Sequence, residues 1–108
     1  MNKYYNKKTK IDGYTFDSMK EADYYLELKL RKKAGDIKDF ELQPEFLLQD
    51  KYKKNGKTIR AITYRADFKI IHNDNSIEII DCKGMKTEVY KLKKKLFEYK
   101  YPYCIKEV

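Results

Sequence analysis

The first stretch with a clear hydrophobic pattern, residues 17–36, predicts an amphipathic helix. Its apolar residues recur at helical spacing and are expected to face the core: Met19, Ala22, Leu26 and Leu30. Ser18 followed three residues later by Glu21 is a capping-box pattern, which marks a helix start. Gly35 ends the predicted helix, because glycine readily adopts the left-handed backbone that follows many helices.

The next segment predicts short strands and a hairpin. Residues 37–49 have a composition typical of strands, but Pro44 interrupts them. Proline cannot donate to a ladder, so we expect either an edge strand or two short strands that meet at a bend. The basic segment 50–58 contains Asn55-Gly56, a turn-forming pair that predicts the tip of a hairpin.

Two further strands are predicted on either side of a polar turn. Residues 59–71 alternate, which assigns one set of side chains to a single face: Ile62, Tyr64, Ala66, Phe68 and Ile70. The polar residues 72–76 form the turn, and residues 77–83 form a more buried strand. If the two strands pair as a hairpin, their register brings Asp67 close to Asp81.

A second helix and a closing strand complete the chain. Residues 87–100 return to helical spacing and present one apolar side: Val89, Leu92, Leu96 and Tyr99. Residues 101–108 are predicted to close the domain as a short strand. The pattern therefore predicts an α/β fold of order α-β-β-β-α-β, with one mixed sheet flanked by helices. Residues 1–12 are polar and basic, so they are predicted to be a flexible arm on a single domain of residues 13–108.

The amino-acid composition limits the classes of protein to which this sequence can belong. The 108 residues are 42% apolar and 15% aromatic, with 11 tyrosines, which is enough to build one core. The net charge of +8 favours polyanionic partners, although A/T-rich codons also explain a chain rich in Lys, Asn, Ile and Tyr. No apolar run is long enough for a membrane span. The two cysteines are too few for a disulfide framework and predict free thiols in a cytoplasmic protein.

The stretch "IEIIDCKG" ends with the charged residues Asp81 and Lys83 rather than with more apolar residues. Asp81 and Lys83 share one face of it, about 7 Å apart along the strand. Together with Asp67 they supply two carboxylates and one ammonium. Carboxylate oxygens bind Mg²⁺ or Mn²⁺, which can hold a phosphate oxygen and lower the pKa of a bound water. A lysine beside them can orient that water or stabilise charge on the phosphate.

These residues carry a resemblance to a known family. "YRADF" followed by "IIDCKG" resembles the signature of the PD-(D/E)XK nuclease superfamily, and the predicted order of elements matches that superfamily's core. The motif sequence is similar to those of small phage-encoded endonuclease-like proteins and, more distantly, to those of Holliday-junction resolvases. The resemblance implies a restriction-endonuclease-like fold and metal-dependent hydrolysis of DNA, although nothing in the residues themselves excludes RNA.

The resemblance also implies a role for each residue of the motif. Asp67, Asp81 and the backbone carbonyl of Cys82 would hold Mg²⁺ or Mn²⁺, and Lys83 would act on the attacking water. Glu21 occupies the preceding helix, where such nucleases often carry an additional acidic residue. A homodimer is expected if the protein cuts both strands, and the cytoplasm of a bacterial host is expected if a phage encodes it.

Each of these residues has a plainer interpretation as well. Asp67 can belong to a solvated sheet face, and Asp81 with Lys83 can mark a strand that returns to water. Glu21 is explained in full by the capping box. Cys82 points away from Asp81 and is expected to be a small core residue rather than a nucleophile.

Basic residues around the motif are candidate contacts for nucleic acid: Arg65, Lys86, Lys91 and Lys94. The loop of residues 51–57 and the N-terminal arm are further candidates. Gln43, polar within an apolar stretch, can face the site. Two rival functions stay open: a basic module that binds nucleic acid without cutting it, and an adaptor that keeps the nuclease fold without activity.

Overall fold

The computed structural model describes residues 8–82 and 86–108. Within these residues the chain forms ten strands and two helices in an α/β arrangement. The strands are β1 (Thr9–Ile11), β2 (Tyr14–Phe16), β3 (Asp39–Leu42), β4 (Glu45–Gln49), β5 (Tyr52–Lys54), β6 (Lys57–Ile59), β7 (Ile62–Arg65), β8 (Phe68–Ile71), β9 (Ile77–Asp81) and β10 (Ile105–Glu107). The helices are α1 (Met19–Lys33) and α2 (Glu88–Lys100). Neither helix is long and apolar enough to cross a membrane.

A four-stranded sheet of order β10-β9-β8-β3 organises the domain. Strand β10 runs parallel to β9, and the other pairs in this sheet are antiparallel. Three two-stranded ribbons accompany it: β1-β2, β4-β7 and β5-β6. The predicted mixed sheet is therefore confirmed, but the predicted order of elements is wrong. The hairpin β1-β2 precedes α1, and β4 to β7 form paired ribbons between β3 and β8.

Local signals set the boundaries of α1 as the sequence predicts. The Ser18 hydroxyl accepts from the backbone N–H of Glu21 at 3.1 Å, which caps the first turn. At the other end Gly35 has φ +83°, and the N–H of Asp36 donates to the carbonyl of Arg31 at 2.9 Å. This is the six-to-one bond of a Schellman motif, for which a left-handed glycine is the favoured residue.

The segment predicted as a flexible arm contains ordered structure. Strand β1 pairs with β2 through a turn at Asp12-Gly13, where both residues have positive φ. The Tyr25 hydroxyl on α1 donates to the Asp12 carboxylate at 2.7 Å, which ties this hairpin to the helix. The arm predicted over residues 1–12 is therefore wrong for residues 9–12, and residues 1–7 lie outside the described residues.

The stretch predicted as one long strand breaks into three. Strand β7 pairs with β4, whereas β8 pairs with β3 and β9, so the chain changes partners between Arg65 and Phe68. At the break, the N–H of Ala66 donates to Pro44 and the N–H of Asp67 donates to Ile80. This change of partners places Asp67 at a junction rather than in the middle of a strand.

Two hydrophobic cores cover opposite faces of the four-stranded sheet, because consecutive residues Ile79 and Ile80 point to different ones. The α1-side core comprises Phe16, Ala22, Tyr25, Leu28, Ile37, Phe68, Ile70 and Ile80. The α2-side core comprises Tyr64, Ala66, Ile79, Tyr90, Phe97 and Ile105. The single face predicted for residues 62–70 is therefore wrong: Tyr64 and Ala66 join one core, and Phe68 and Ile70 join the other.

Both helices bury a different face from the one predicted. In α1 the buried residues are Glu21, Ala22, Tyr25 and Leu28, whereas the predicted core residues Met19, Leu26 and Leu30 are exposed. In α2 the buried residues are Tyr90 and Phe97, whereas the predicted face is exposed: Val89, Leu92, Leu96 and Tyr99. The physical reason is that large aromatic rings contribute more buried area to these cores than the aliphatic stripes would.

Candidate functional site

The two aspartates of the predicted motif lie at the same end of β8 and β9: Asp67 comes immediately before β8, and Asp81 is the last residue of β9. Phe68 of β8 faces Ile80 of β9 in register, so the residues next to them, Asp67 and Asp81, are adjacent at the same end of the pair. The backbone N–H of Asp67 donates to the carbonyl of Ile80 at 3.1 Å, which fixes this register. The fold therefore brings together two carboxylates that are 14 positions apart in the sequence.

The side chain of Asp67 is fixed by the backbone of the opposite strand. Its Oδ2 accepts from the N–H of Cys82 at 2.7 Å. A charged acceptor makes a shorter and stronger hydrogen bond than a neutral one, so this bond orients the carboxylate. The carbonyl of Cys82 belongs to the next peptide unit, and its role as a backbone ligand stays a prediction.

Asp81 is buried, with 1% of its surface exposed. Its carboxylate accepts a hydrogen bond from the hydroxyl of Tyr64, which reaches across from β7. Burial of the hydroxyl, its bond to Asp81 and the charges of Asp81 and Asp67 raise the pKa of Tyr64 well above its ordinary value. Tyr64 therefore stays protonated at all physiological pH values and acts as a permanent donor to Asp81.

Removal of the Tyr64 hydroxyl should destabilise the fold. In Tyr64→Phe the ring still fills the α2-side core, but the buried Asp81 carboxylate loses a donor. A buried charged group that loses a partner costs about 1–3 kcal/mol, so we expect the free energy of unfolding to fall by that amount. Urea unfolding measures it. Tyr52→Phe on the exposed strand β5 is the matched control and should change stability by less than about 0.5 kcal/mol. Equal values for the two variants would contradict a role for this bond.

Cys82 lies on the α1 side of the sheet, as predicted from the alternation of β9. Burial raises the pKa of its thiol to about 12, and the negative charges of Asp67 and Glu21 add to that effect. The thiol is therefore protonated near neutral pH and is not a nucleophile. The same electrostatic contacts show that Glu21 and Asp67 both lie close enough to Cys82 to influence it.

Glu21 takes part in the cap of α1, and its role as a site residue stays a prediction. Its backbone N–H is the group that Ser18 caps. Its side chain is buried, although it lies in the first turn of a helix where a purely capping glutamate is usually solvated. A buried carboxylate that acts on Cys82 from α1 adds a third acidic group to the same end of the sheet.

The remaining predicted site residues divide by position. Lys83 lies outside the described residues. Arg65 is exposed at the end of β7. Lys91 is exposed and lies 3.5 Å from Glu88 on the same helix. Lys86 and Lys94, in contrast, both point to Glu107 of β10.

Glu107 is a residue that the sequence analysis missed. It pairs in register with Asp81 across the parallel strands β10 and β9, so the two carboxylates share a face. It accepts from the Tyr90 hydroxyl at 2.7 Å, and it lies 2.9 Å from Lys86 and 3.4 Å from Lys94. The one sign of Glu107 in the sequence was that it shares a strand face with the buried Ile105, two positions earlier. Its position beside Asp81 becomes evident only from the parallel pairing of β10 with β9.

The hydrogen bonds from Tyr90 and Lys86 lower the pKa of Glu107 from 4.5 to about 2. Because the folded pKa lies below the ordinary value, the stability that this carboxylate contributes is complete above pH 4.5 and is lost as the pH falls towards 2. Glu107→Gln should therefore lower the unfolding free energy most at neutral pH and reduce its decrease on acidification. Urea unfolding between about pH 5 and about pH 3 tests this linkage. Glu27→Gln, on an exposed position of α1, should retain the wild-type slope; an unchanged slope in Glu107→Gln would contradict the prediction.

A cavity of about 290 Å³ opens beside Asp67. It lies between the β1-β2 hairpin and the bend that joins β3 to β4, and Gln43 and Asp67 line it. Gln43 has φ +48°, and its backbone N–H donates to the carbonyl of Asp67 at 2.9 Å. The polar Gln43 therefore does face the Asp67 end of the site, as the sequence suggested.

The donor chemistry of this end of the sheet suits a hard cation. Carboxylates and backbone carbonyls are the oxygen ligands that Mg²⁺ and Mn²⁺ take, and Mg²⁺ is usually bound through one or two carboxylates, with water and phosphate completing its shell. Across residues 8–82 and 86–108, no three His, Cys, Asp or Glu side chains form a group arranged to hold a metal ion. The role of Asp67 and Asp81 as metal ligands therefore stays a prediction.

Comparison with known proteins places the chain in one family. Searches of curated proteins and of solved structures found no match. Residues 1–107 match the model of a family described as a protein of unknown function, DUF1064. The match spans nearly all of the 108 residues, so the chain belongs to the DUF1064 family.

Proposed function

We propose that this protein is a metal-dependent nuclease that hydrolyses phosphodiester bonds in DNA. The observation that carries the proposal is the bond from the N–H of Asp67 to the carbonyl of Ile80, which sets Asp67 next to the end of β9 where Asp81 lies, together with the bond from the N–H of Cys82 to the Asp67 carboxylate. Two acidic residues at one end of a strand pair, with a lysine two positions after the second of them, suit metal-assisted phosphate chemistry.

Each residue has a defined role in this proposal. Asp67, Asp81 and the carbonyl of Cys82 hold Mg²⁺ or Mn²⁺, which polarises a phosphate oxygen and lowers the pKa of a water when it is bound. The bond from Cys82 keeps the Asp67 carboxylate oriented, and Tyr64 does the same for Asp81. Lys83 orients the water or stabilises the charge that develops on the phosphate. Glu21 is a further acidic residue that can act on the same water.

A restriction-endonuclease-like fold is part of the proposal. The helices and the strands of the four-stranded sheet follow the order α1-β3-β8-β9-α2-β10 once the ribbons are set aside. The parallel strand β10, reached through α2, supports this assignment because a parallel partner requires such a crossover. The paired acidic residues then lie where the central strands end.

DNA is the proposed substrate, and basic residues are proposed to hold its backbone. Arg65 and Lys91 are exposed cations that directly follow the core residues Tyr64 and Tyr90, and they are suited to phosphate contact. Lys86 and Lys94 share the charge of Glu107, so their contribution depends on competition between that carboxylate and a phosphate. A homodimer is proposed if both strands of a duplex are cut, since one chain offers one pair of aspartates.

The test is cleavage of a labelled panel that comprises linear duplex, single strand, flap and four-way junction. Reactions contain Mg²⁺, Mn²⁺ or EDTA, and the wild type runs beside Lys83→Ala. Metal-dependent products that Lys83→Ala reduces would support the proposal and identify the substrate form. Lys33→Ala, an exposed lysine at the end of α1, is the matched control for loss of one positive charge. Absence of cleavage on every substrate would reject the nuclease.

A second candidate function is a basic module that binds nucleic acid without cutting it. The burial of Asp81 against Tyr64 favours it, because a carboxylate with 1% exposure serves as a structural group without any metal. This candidate predicts binding in EDTA that Asp67→Ala leaves unchanged or strengthens, since that change removes negative charge. An adaptor would instead show weak DNA binding that is insensitive to salt.

A further inference from the structure

The ribbon β5-β6 projects beyond both hydrophobic cores. It continues the β4-β7 hairpin outward from its last pair, Gln49 and Ile62, and ends at the turn Asn55-Gly56. Every residue from 50 to 61 is exposed, and we call this segment the distal ribbon. At about 3.3 Å per residue, the distance from Gln49 to the tip is about 20 Å. The distal ribbon is therefore an arm rather than part of the packed domain.

The distal ribbon is strongly basic. It contains one acidic residue, Asp50, and five basic ones: Lys51, Lys53, Lys54, Lys57 and Arg60. Among the described residues, none of these five cations lies within 4.0 Å of a carboxylate. Their charge is therefore directed to solvent, in contrast to that of Lys86 and Lys94.

The arrangement of this charge opposes folding. Lys54 and Lys57 pair directly across the two strands, and like charges in that position are destabilising. A two-stranded hairpin that packs on nothing else is itself marginal in water. The distal ribbon thus gains little stability from the domain and would gain more from a polyanion that neutralises the lysines.

The register gives the ribbon one mixed face and one polar face. Tyr52 pairs with Ile59 on the same face as Lys54 and Lys57, because side chains alternate along each strand. Tyr52 and Ile59 are both exposed on that face. The lysines at the tip can contact phosphate groups of a nucleic acid, and the Tyr52 ring, two residues further from the tip, can contact the wall of a groove.

The geometry points to the distal ribbon as a DNA-binding arm that enters the major groove of a duplex. Its two strands lie about 4.8 Å apart, and the major groove of B-form DNA, about 12 Å wide, admits a two-stranded ribbon. The major groove of A-form RNA is deep and too narrow for side chains to read. Duplex DNA is therefore the ligand, in preference to duplex RNA. This inference rests on the proposed function only in taking nucleic acid as the partner.

Binding without cleavage tests the arm separately from the nuclease. The affinity of the full chain for a fluorescent DNA duplex of about two helical turns is measured in EDTA by anisotropy, across a salt series. The variant Lys53→Gln/Lys54→Gln/Lys57→Gln should bind at least about 10-fold more weakly, and the slope of log K against log salt should fall by about 2 to 3, at 0.9 per lost phosphate contact. The same sequence as duplex RNA should bind more weakly than DNA to the wild type.

A charge-matched control separates the arm from net charge alone. Lys29→Gln/Lys32→Gln/Lys33→Gln removes the same charge from α1, which packs against β1, β2 and β3. It should lower the affinity less than the ribbon variant does. An equal loss in both variants would overturn the assignment to the distal ribbon.

A second variant keeps every charge and alters the shape of the ribbon. Gly56 has φ +77°, a backbone conformation that other L-residues adopt only with strain, although a side chain there would have open space around it. Gly56→Val should therefore disrupt the tip and weaken DNA binding several-fold without lowering the melting temperature of the domain. Wild-type affinity in Gly56→Val would overturn groove insertion.

Three further results would decide between the proposals. Ribbon-dependent binding to anionic lipid vesicles, with ribbon-independent binding to DNA, would overturn the arm as a DNA contact. Metal-dependent cleavage with wild-type DNA binding in the ribbon variants would reject the arm and retain the nuclease. Ribbon-dependent DNA binding without any cleavage would retain the arm and reject the nuclease.

Discussion

Asp67→Asn is expected to lower metal-dependent DNA cleavage by at least about 100-fold while the domain stays folded, since removal of one charge-stabilising group from an active site costs about 10²–10³ in rate. The substitution preserves the shape of the side chain, and the amide oxygen can still accept from the N–H of Cys82. What it removes is the negative charge, which is the property that a divalent cation requires. The cleavage rate and the unfolding free energy are measured on the same preparation.

A neighbouring carboxylate provides the control for Asp67→Asn. Glu41 lies on β3, in the same sheet, and faces Lys69 of β8 in register. Glu41→Gln removes one negative charge from an exposed position and should leave cleavage within about 3-fold of the wild type, as expected of surface changes away from a site. If Asp67→Asn cleaves as fast as Glu41→Gln, Asp67 does not hold the metal.

The largest expected effect on stability is that of Phe97→Ala. Phe97 is fully buried, and its ring lies 4.8 Å from Phe46, 5.4 Å from Tyr64 and 5.1 Å from Tyr101. Loss of a phenylalanine from a packed core costs about 3–5 kcal/mol, which lowers the melting temperature of a domain of this size by about 12 °C or more. Thermal and urea unfolding both measure this change.

The residue before it along the helix is the control. Leu96 belongs to the face that the sequence pattern favoured, yet it is 40% exposed. Leu96→Ala should therefore change the unfolding free energy by less than about 1 kcal/mol. Phe97→Leu, a milder change, keeps the test informative if Phe97→Ala does not fold. A larger loss for Leu96→Ala than for Phe97→Leu would show that α2 buries the opposite face.

Local signals in the sequence were sufficient for the ends of α1, the bend at Pro44 and the tip of one hairpin. Ser18 and Gly35 set the ends of α1 because capping depends only on adjacent backbone groups. The bend at Pro44 and the hairpin tip at Asn55-Gly56 are confirmed for the same reason: proline fixes its own φ, and Asn and Gly tolerate the positive φ that the tip requires. Such signals act on backbone groups within a few residues, so their effect does not depend on the packing of the rest of the fold.

The buried faces of the helices could not be predicted in the same way. In α2 the aliphatic stripe and the aromatic pair Tyr90 and Phe97 both have helical spacing, so periodicity alone permits either face. The choice depends on the opposite wall, where the rings of Phe46 on β4 and Tyr64 on β7 pack against Phe97. That wall is assembled from distant strands, which no local pattern describes.

The candidate site was predictable in part for a related reason. Asp67 immediately precedes β8 and Asp81 ends β9, and because these strands are adjacent in sequence, the proximity of the two residues follows from one hairpin register. Tyr64 bonds to Asp81 only because the chain changes partners after β7. Glu107 lies in register with Asp81 only because β10 pairs in parallel with β9. Neither Gly nor Pro marks the break at Ala66, so the change of partners there has no signal in the sequence.

The most direct test of the proposed function compares DNA cleavage in Mg²⁺ and in EDTA by the wild type and by Asp81→Ala purified in parallel. We expect products that require Mg²⁺ and that Asp81→Ala, verified as folded by circular dichroism, does not form. Products that persist in EDTA, or that a folded Asp81→Ala forms at the wild-type rate, would contradict a metal-dependent nuclease at Asp67 and Asp81.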